Sequence, residues 1–116
     1  MNKQEAREVI EDSLSRGSGT PVTWTKDRDA YIAKASSGLL SSLIDPVPVR
    51  IVDETYKYDV KMQMEASEIF AIARRDDDWL LYSPARRIFS RAFGPNEDRL
   101  SILGFASPDA LAEWLG

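Results

Sequence analysis

The chain has no histidine and no cysteine among its 116 residues. Without imidazole there is no Ser-His or Cys-His nucleophilic pair, no usual zinc or copper site, and no side chain whose ordinary pKa lies near neutrality. Without thiols there are no disulfides, thiolate metal centres or cysteine nucleophiles, a composition that fits a reducing compartment. Long apolar runs are missing too: nothing approaches the ~20 residues of a membrane span. The start, Met1-Asn2-Lys3-Gln4-Glu5, is polar where a secretory leader needs an apolar stretch. A cytoplasmic protein without cofactor or metal is the expectation. Basic charge is also short, with 19 acids against 15 bases, a net charge of -4 and a pI near 4.8. That balance opposes nonspecific attraction to nucleic acid or anionic lipid, so neither is expected, and it makes a basic protein the easier partner.

What is present is ordinary for a globular chain: 43% apolar and 29% charged residues, enough to bury a core. The length suits a single globular domain over 1–116. The clearest pattern runs from Tyr56 to Glu65, where Tyr56, Tyr58, Val60, Met62 and Met64 alternate with Lys57, Asp59, Lys61, Gln63 and Glu65. A period of two over ten residues predicts a half-buried antiparallel strand, with Val60 and Met62 inside and Lys61 and Gln63 in water.

The remaining elements frame that strand. Asn2 with Glu5 three residues later forms a helix-opening pair, followed by Ala6, Val9, Ile10 and Leu14 at helical spacing, and Gly17-Ser18-Gly19-Thr20-Pro21 ends the helix. Val22 to Thr25 reads as a short strand. Residues 29–44 read as a second helix or as a hairpin strand plus helix, since Gly38 and four serines weaken the helical pattern. From Val47 the chain reads as strands over 47–52, 55–64, 68–74, 79–83, 86–93 and 99–105, separated by short turns that favour hairpins. The stretches 69–73 and 79–82 are apolar on both faces and belong at the centre of the sheet. Ser107-Pro108 opens a last short helix with Leu111, Trp114 and Leu115 as its buried stripe. The expected fold is α+β: a mainly antiparallel meander of five to six strands with N- and C-terminal helices.

No catalytic motif stands out. Asp76-Asp77-Asp78 is the densest charge cluster, but an EF-hand loop starting there would need glycine and glutamate where Leu81 and Arg87 stand, so a solvated hairpin turn is the simpler reading. Arg74, Arg75, Arg86, Arg87, Arg91 and Arg99 concentrate guanidinium groups in the C-terminal half, interrupted by five acids that favour ion pairing across strands. Arg87, Phe89, Arg91 and Phe93 alternate onto one strand face, which suits either nucleobase stacking or packing under a helix. Tyr56 and Tyr58 lie opposite Lys57 and do not share a site with it. Gly17-Ser18-Gly19 lacks the third glycine of a nucleotide loop, and the acid pair Glu65 and Glu68 is not distinctive.

The small size, acidic balance and helix-plus-meander pattern have a general likeness to bacterial toxin-immunity proteins and secretion chaperones, at the level of fold analogy. The reading that follows is a non-enzymatic protein-binding domain, in its most concrete form an inhibitor or immunity-like protein of a basic partner. Asp76, Asp77, Asp78, Trp24 and Trp114 are its candidate contact residues. The alternatives are a small ligand-binding domain or enzyme using carboxylate, arginine and tyrosine groups, and a homodimer formed through a sheet edge or the second face of the central strands.

Overall fold

Asn2 closes the capping box that its spacing to Glu5 predicts. Its side chain accepts from the Glu5 N–H at 2.8 Å, and the Glu5 carboxylate accepts from the Asn2 N–H at 3.0 Å, so two orphaned donors are satisfied. Helix α1 (Lys3–Ser15) follows in the computed structural model, which describes residues 1–65 and 67–116. It buries Ala6, Ile10 and Ser13 along one side, and Gly17 at φ 82 takes the left-handed position beyond its end. Helix α2 (Arg28–Ser41) is capped by the Asp27 carboxylate, which accepts from the Ala30 N–H. Residues 29–44 are therefore mainly one helix. The strand expected over 22–25 is not formed. Of its four residues only Val22 is even partly buried, too little apolar burial to offset the entropy of ordering a strand.

Six strands make one sheet: β1 (Leu43–Pro48), β2 (Ile51–Glu54), β3 (Phe70–Arg75), β4 (Asp78–Ser83), β5 (Ile88–Phe93) and β6 (Leu100–Ile102), in the order β1-β3-β4-β5-β6-β2. The run from β3 to β6 is an antiparallel meander. The whole sheet is not, because β2 pairs with β6 in parallel. The expected strand 47–52 is cut in two at Pro48, and its halves join opposite edges. A flat six-stranded sheet would hold those edges about 24 Å apart, at ~4.8 Å per strand. The three Cα steps from Pro48 to Ile51 span at most about 11 Å, so the sheet is rolled. The corner is bonded on both sides: the Val49 N–H donates to the Ile69 carbonyl at 3.4 Å and the Arg50 N–H to the Glu97 carbonyl at 2.8 Å.

Rolling gives the sheet two apolar faces with different cover. The outer face presents Phe70, Ile72, Leu80, Tyr82 and Phe89 to Ala6 and Ile10 of α1, Leu39 of α2, and Leu111 and Trp114 of the last helix. The inner face gathers Ala71, Trp79, Leu81, Ala92, Leu100 and Ile102 with Ile51 from β2. Strands β3 and β4 lie between other strands and are buried on both sides, as their two-sided apolar pattern predicts.

Residues 55–64 do not form the strand that their alternation predicts. Lys57 at φ 52 and Asp59 at φ 62 turn the chain through left-handed conformations, and helix α3 (Val60–Glu65) follows. Val60 and Met64, one helical turn apart, enter the inner cluster, while Met62 is 67% exposed. Strand β6 ends at Ile102 and its chain turns away at Gly104, so beyond Tyr56 this segment loses the strand it was pairing with. The buried Glu54 carboxylate instead accepts from the Lys61 N–H at 3.0 Å and caps the short helix.

The last helix, α4 (Ala110–Leu115), opens at Asp109 rather than Ser107-Pro108. Ser107 is still extended, exchanging both backbone bonds with Phe89, and its hydroxyl donates to Glu113 at 2.7 Å. Among the described residues no helix is long and apolar enough to cross a membrane.

Candidate functional site

The three aspartates occupy a tight hairpin. Arg75 pairs with Asp78, which leaves Asp76, at φ 55, and Asp77 as the turn. The Arg74 guanidinium lies 4.2 Å over the Trp79 ring and donates to the Asp76 carbonyl at 2.7 Å, while the Gly94 N–H donates to the Asp77 carbonyl. The Asp78 carboxylate forms a 2.9 Å ion pair with Arg91 on the neighbouring strand. Only Asp76 and Asp77 present uncommitted carboxylates to solvent. Trp114 is adjacent but buried, with the Arg75 guanidinium 5.3 Å above its ring. Trp24 stands apart, 65% exposed and edge-on to Tyr31 at 5.2 Å. The candidate residues therefore do not converge on one surface. Phe89 packs beneath the helices and Arg91 is ion-paired, so the row on β5 is not a stacking platform. The pair Glu65 and Glu68 includes a side chain outside those described.

The exposed apolar surface collects elsewhere. Tyr56, Tyr58 and Phe105 are 53%, 59% and 49% exposed, yet their rings are in mutual contact. The two tyrosines stack with centroids 6.1 Å apart, and Phe105 leans on both at 5.4 and 5.7 Å. The β2–β6 pairing sets this up. It continues past its last residues as Thr55 N–H donates to the Ile102 carbonyl and Tyr56 N–H to the Leu103 carbonyl, both at 2.9 Å. Gly104 at φ 114 lets the chain pass beneath Tyr56, where an added Cβ would come within 3.3 Å of the Tyr56 Cβ. Val52 on β2 and Met62 on α3 add exposed apolar area on the neighbouring elements. The tyrosine spacing was visible in the sequence, but Phe105 is brought to it only by the parallel pairing of distant strands.

A cleft of about 580 Å³ lies between α1 and the β4–β5 turn, lined by Glu8, Val9, Asp12, Arg16, Tyr82, Arg86, Arg87, Phe89 and Pro108. Burial pushes the Tyr82 phenol pKa above its ordinary value of 10.0, and Asp12 adds to the shift, while Arg87 and Arg16 oppose it. Among the described residues no three His, Cys, Asp or Glu side chains are grouped to hold a metal ion. Comparison with family models, with curated proteins and with solved structures finds no match for this chain.

Proposed function

We propose that this protein is a non-enzymatic binding domain that engages a basic protein partner, in the manner of an inhibitor or immunity-like protein, through the Tyr56, Tyr58 and Phe105 surface. The observation that carries this reading is three half-exposed aromatic rings in mutual contact, the two tyrosines stacked and Phe105 tilted against both. Tyrosine-rich clusters already ordered in the free protein lose little entropy on binding, and such residues dominate interface energetics. The net charge of -4 favours encounter with a basic partner, and Asp76 and Asp77 contribute as rim charges that set rate more than affinity.

The test is co-purification from the native host, isolation of the retained protein, and measurement of its affinity for the unaltered chain and for the Tyr58→Ala, Phe105→Ala double variant. The expected result is about 10²-fold weaker binding by the variant with its unfolding free energy within about 1 kcal/mol, since both rings are half exposed. Equal affinity would overturn the assignment of the surface. Concentration-dependent self-association lost in the same variant would replace the reading with a homodimer. The second face of β3 and β4 is already filled by the inner cluster, which removes one of the two surfaces considered for such a dimer.

A further inference from the structure

We propose that the cleft between α1 and the β4–β5 turn is a binding site for a small organic anion, a carboxylate carried on an apolar ring or chain. This inference is independent of the aromatic surface, and its basis is an unequal pairing of charges. Of the five charged groups lining the cleft, three are guanidinium and two are carboxylate, so an acidic protein has a cationic hollow. The carboxylates already have donors: Asp12 is ion-paired with Arg16, and Glu8 accepts from the Gln4 amide at 3.2 Å. Arg86 and Arg87 have no ion pair or side-chain hydrogen bond among the described residues. The Tyr82 hydroxyl likewise has no protein hydrogen-bond partner there: the residue as a whole is buried, and its hydroxyl is the end that solvent can reach. A phenol and two guanidinium groups, all donors, thus face a space holding no acceptor assigned to them. Adjacent guanidinium groups are the usual means of holding a carboxylate by paired, charge-assisted bonds.

The remaining lining sets the rest of the ligand. Phe89, Val9 and Pro108 supply apolar surface, and a volume of about 580 Å³ falls in the range of small-molecule sites. The arginines are not on a loose tether. The Arg86 N–H donates to the Ser83 hydroxyl at 3.3 Å and the Arg87 N–H to the Ser83 carbonyl at 2.7 Å, with Ser83 fully buried at the end of β4. Arg87 also holds φ 55, a left-handed conformation that glycine would adopt without cost. Arginine there carries some backbone strain that glycine would relieve.

The probes are naphthoate, its neutral analogue naphthylmethanol, and inorganic phosphate, titrated into isotope-labelled protein and followed by amide chemical shifts. Naphthoate is expected to saturate with a dissociation constant on the order of 1 mM or tighter, given typical affinity per ligand atom. Its shifts should centre on Val9, Asp12 and residues 86–89. Naphthylmethanol and phosphate should each bind at least about tenfold more weakly, since each lacks one half of the recognition. Arg86→Gln and Arg87→Gly should each weaken naphthoate by about tenfold. Arg87→Gly should at the same time unfold at an equal or higher temperature, because the strain is relieved, which separates loss of the site from loss of the fold. Overturning results are non-saturating naphthoate shifts, equal affinity for naphthylmethanol, or unchanged binding in both variants. Phosphate binding as tightly as naphthoate would equally remove the apolar half of the assignment.

Discussion

In the strand bodies Phe70–Ala73 and Trp79–Ser83 every side chain is buried, whereas between Thr55 and Met64 only Val60 and Met64 are. Both stretches are rich in apolar residues. The first has a bonded strand on each side and a cover on each face: helices outside and the roll of the sheet inside. The second follows the last residue that β6 can pair, turns at Lys57 and Asp59, and touches the core with one side of a short helix. Side-chain pattern proposes a conformation, but the supply of backbone partners decides whether the chain adopts it.

The largest effects test the claim that both faces of the central hairpin are equally committed. Trp79→Ala on the inner face and Leu80→Ala on the outer should each lower the unfolding free energy by about 3–5 kcal/mol, read from urea midpoints. Trp79 also loses its 3.0 Å bond to the Gly94 carbonyl. A mild loss at Trp79 beside a severe one at Leu80 would mean that the inside of the roll is wet rather than packed.

Smaller effects distinguish helix from strand over 60–65. Met64→Ala should cost about 2–3 kcal/mol, because the side chain is fully buried. Met62→Ala should stay within about 0.5 kcal/mol, as for other exposed positions. Strand alternation would make the two equal, so comparable midpoint shifts would restore it.

The smallest effect lies in the outer cover. Burial and the nearby Asp109 hold the Glu113 carboxyl above its ordinary 4.5, against the hydrogen bond from Ser107. The folded state then keeps this proton to a higher pH than the unfolded chain does. Stability from this group is complete below pH 4.5 and falls as pH rises through the raised folded value. Glu113→Gln retains an acceptor for Ser107 and should abolish that fall. The gain near neutrality should be under about 0.5 kcal/mol once solvent screening of this partly exposed side chain is allowed for, and a thermal-melt series across pH should show curves that converge in acid. Divergence in acid would assign the titration to another group.

Much of the architecture was legible where the decisive interactions are local. The Asn2–Glu5 box, the turn at Asp76-Asp77 and the two-sided burial of Phe70–Ala73 and Trp79–Tyr82 each follow from residues near one another in the chain. What was not legible depends on distant pairing. Nothing in Val47 to Val52 shows that Pro48 ends one edge strand and Ile51 begins the opposite one. The meeting of Tyr56 and Tyr58 with Phe105 follows from that same closure. In the cleft, Tyr82, Arg86 and Arg87 lie close in sequence, but their lack of acceptors depends on how α1 lies across them. The alternation of arginines and acids predicts pairing across strands, which holds for Arg91 with Asp78, while Arg86 and Arg87 have no ion pair among the described residues.

The corner at Val49 and Arg50 also bears on how the chain folds. The β3–β4 and β4–β5 hairpins join neighbours in sequence and lose little loop entropy on forming, while β1–β3 and β2–β6 join segments far apart. Because β1 and β2 are two residues apart, whichever docks first delivers the other to its own edge, and the second docking costs only a short-loop closure. Two long-range steps become one event. Lengthening that corner with flexible residues would uncouple them and expose a half-zipped sheet, one end of its meander unpaired, as a kinetic intermediate.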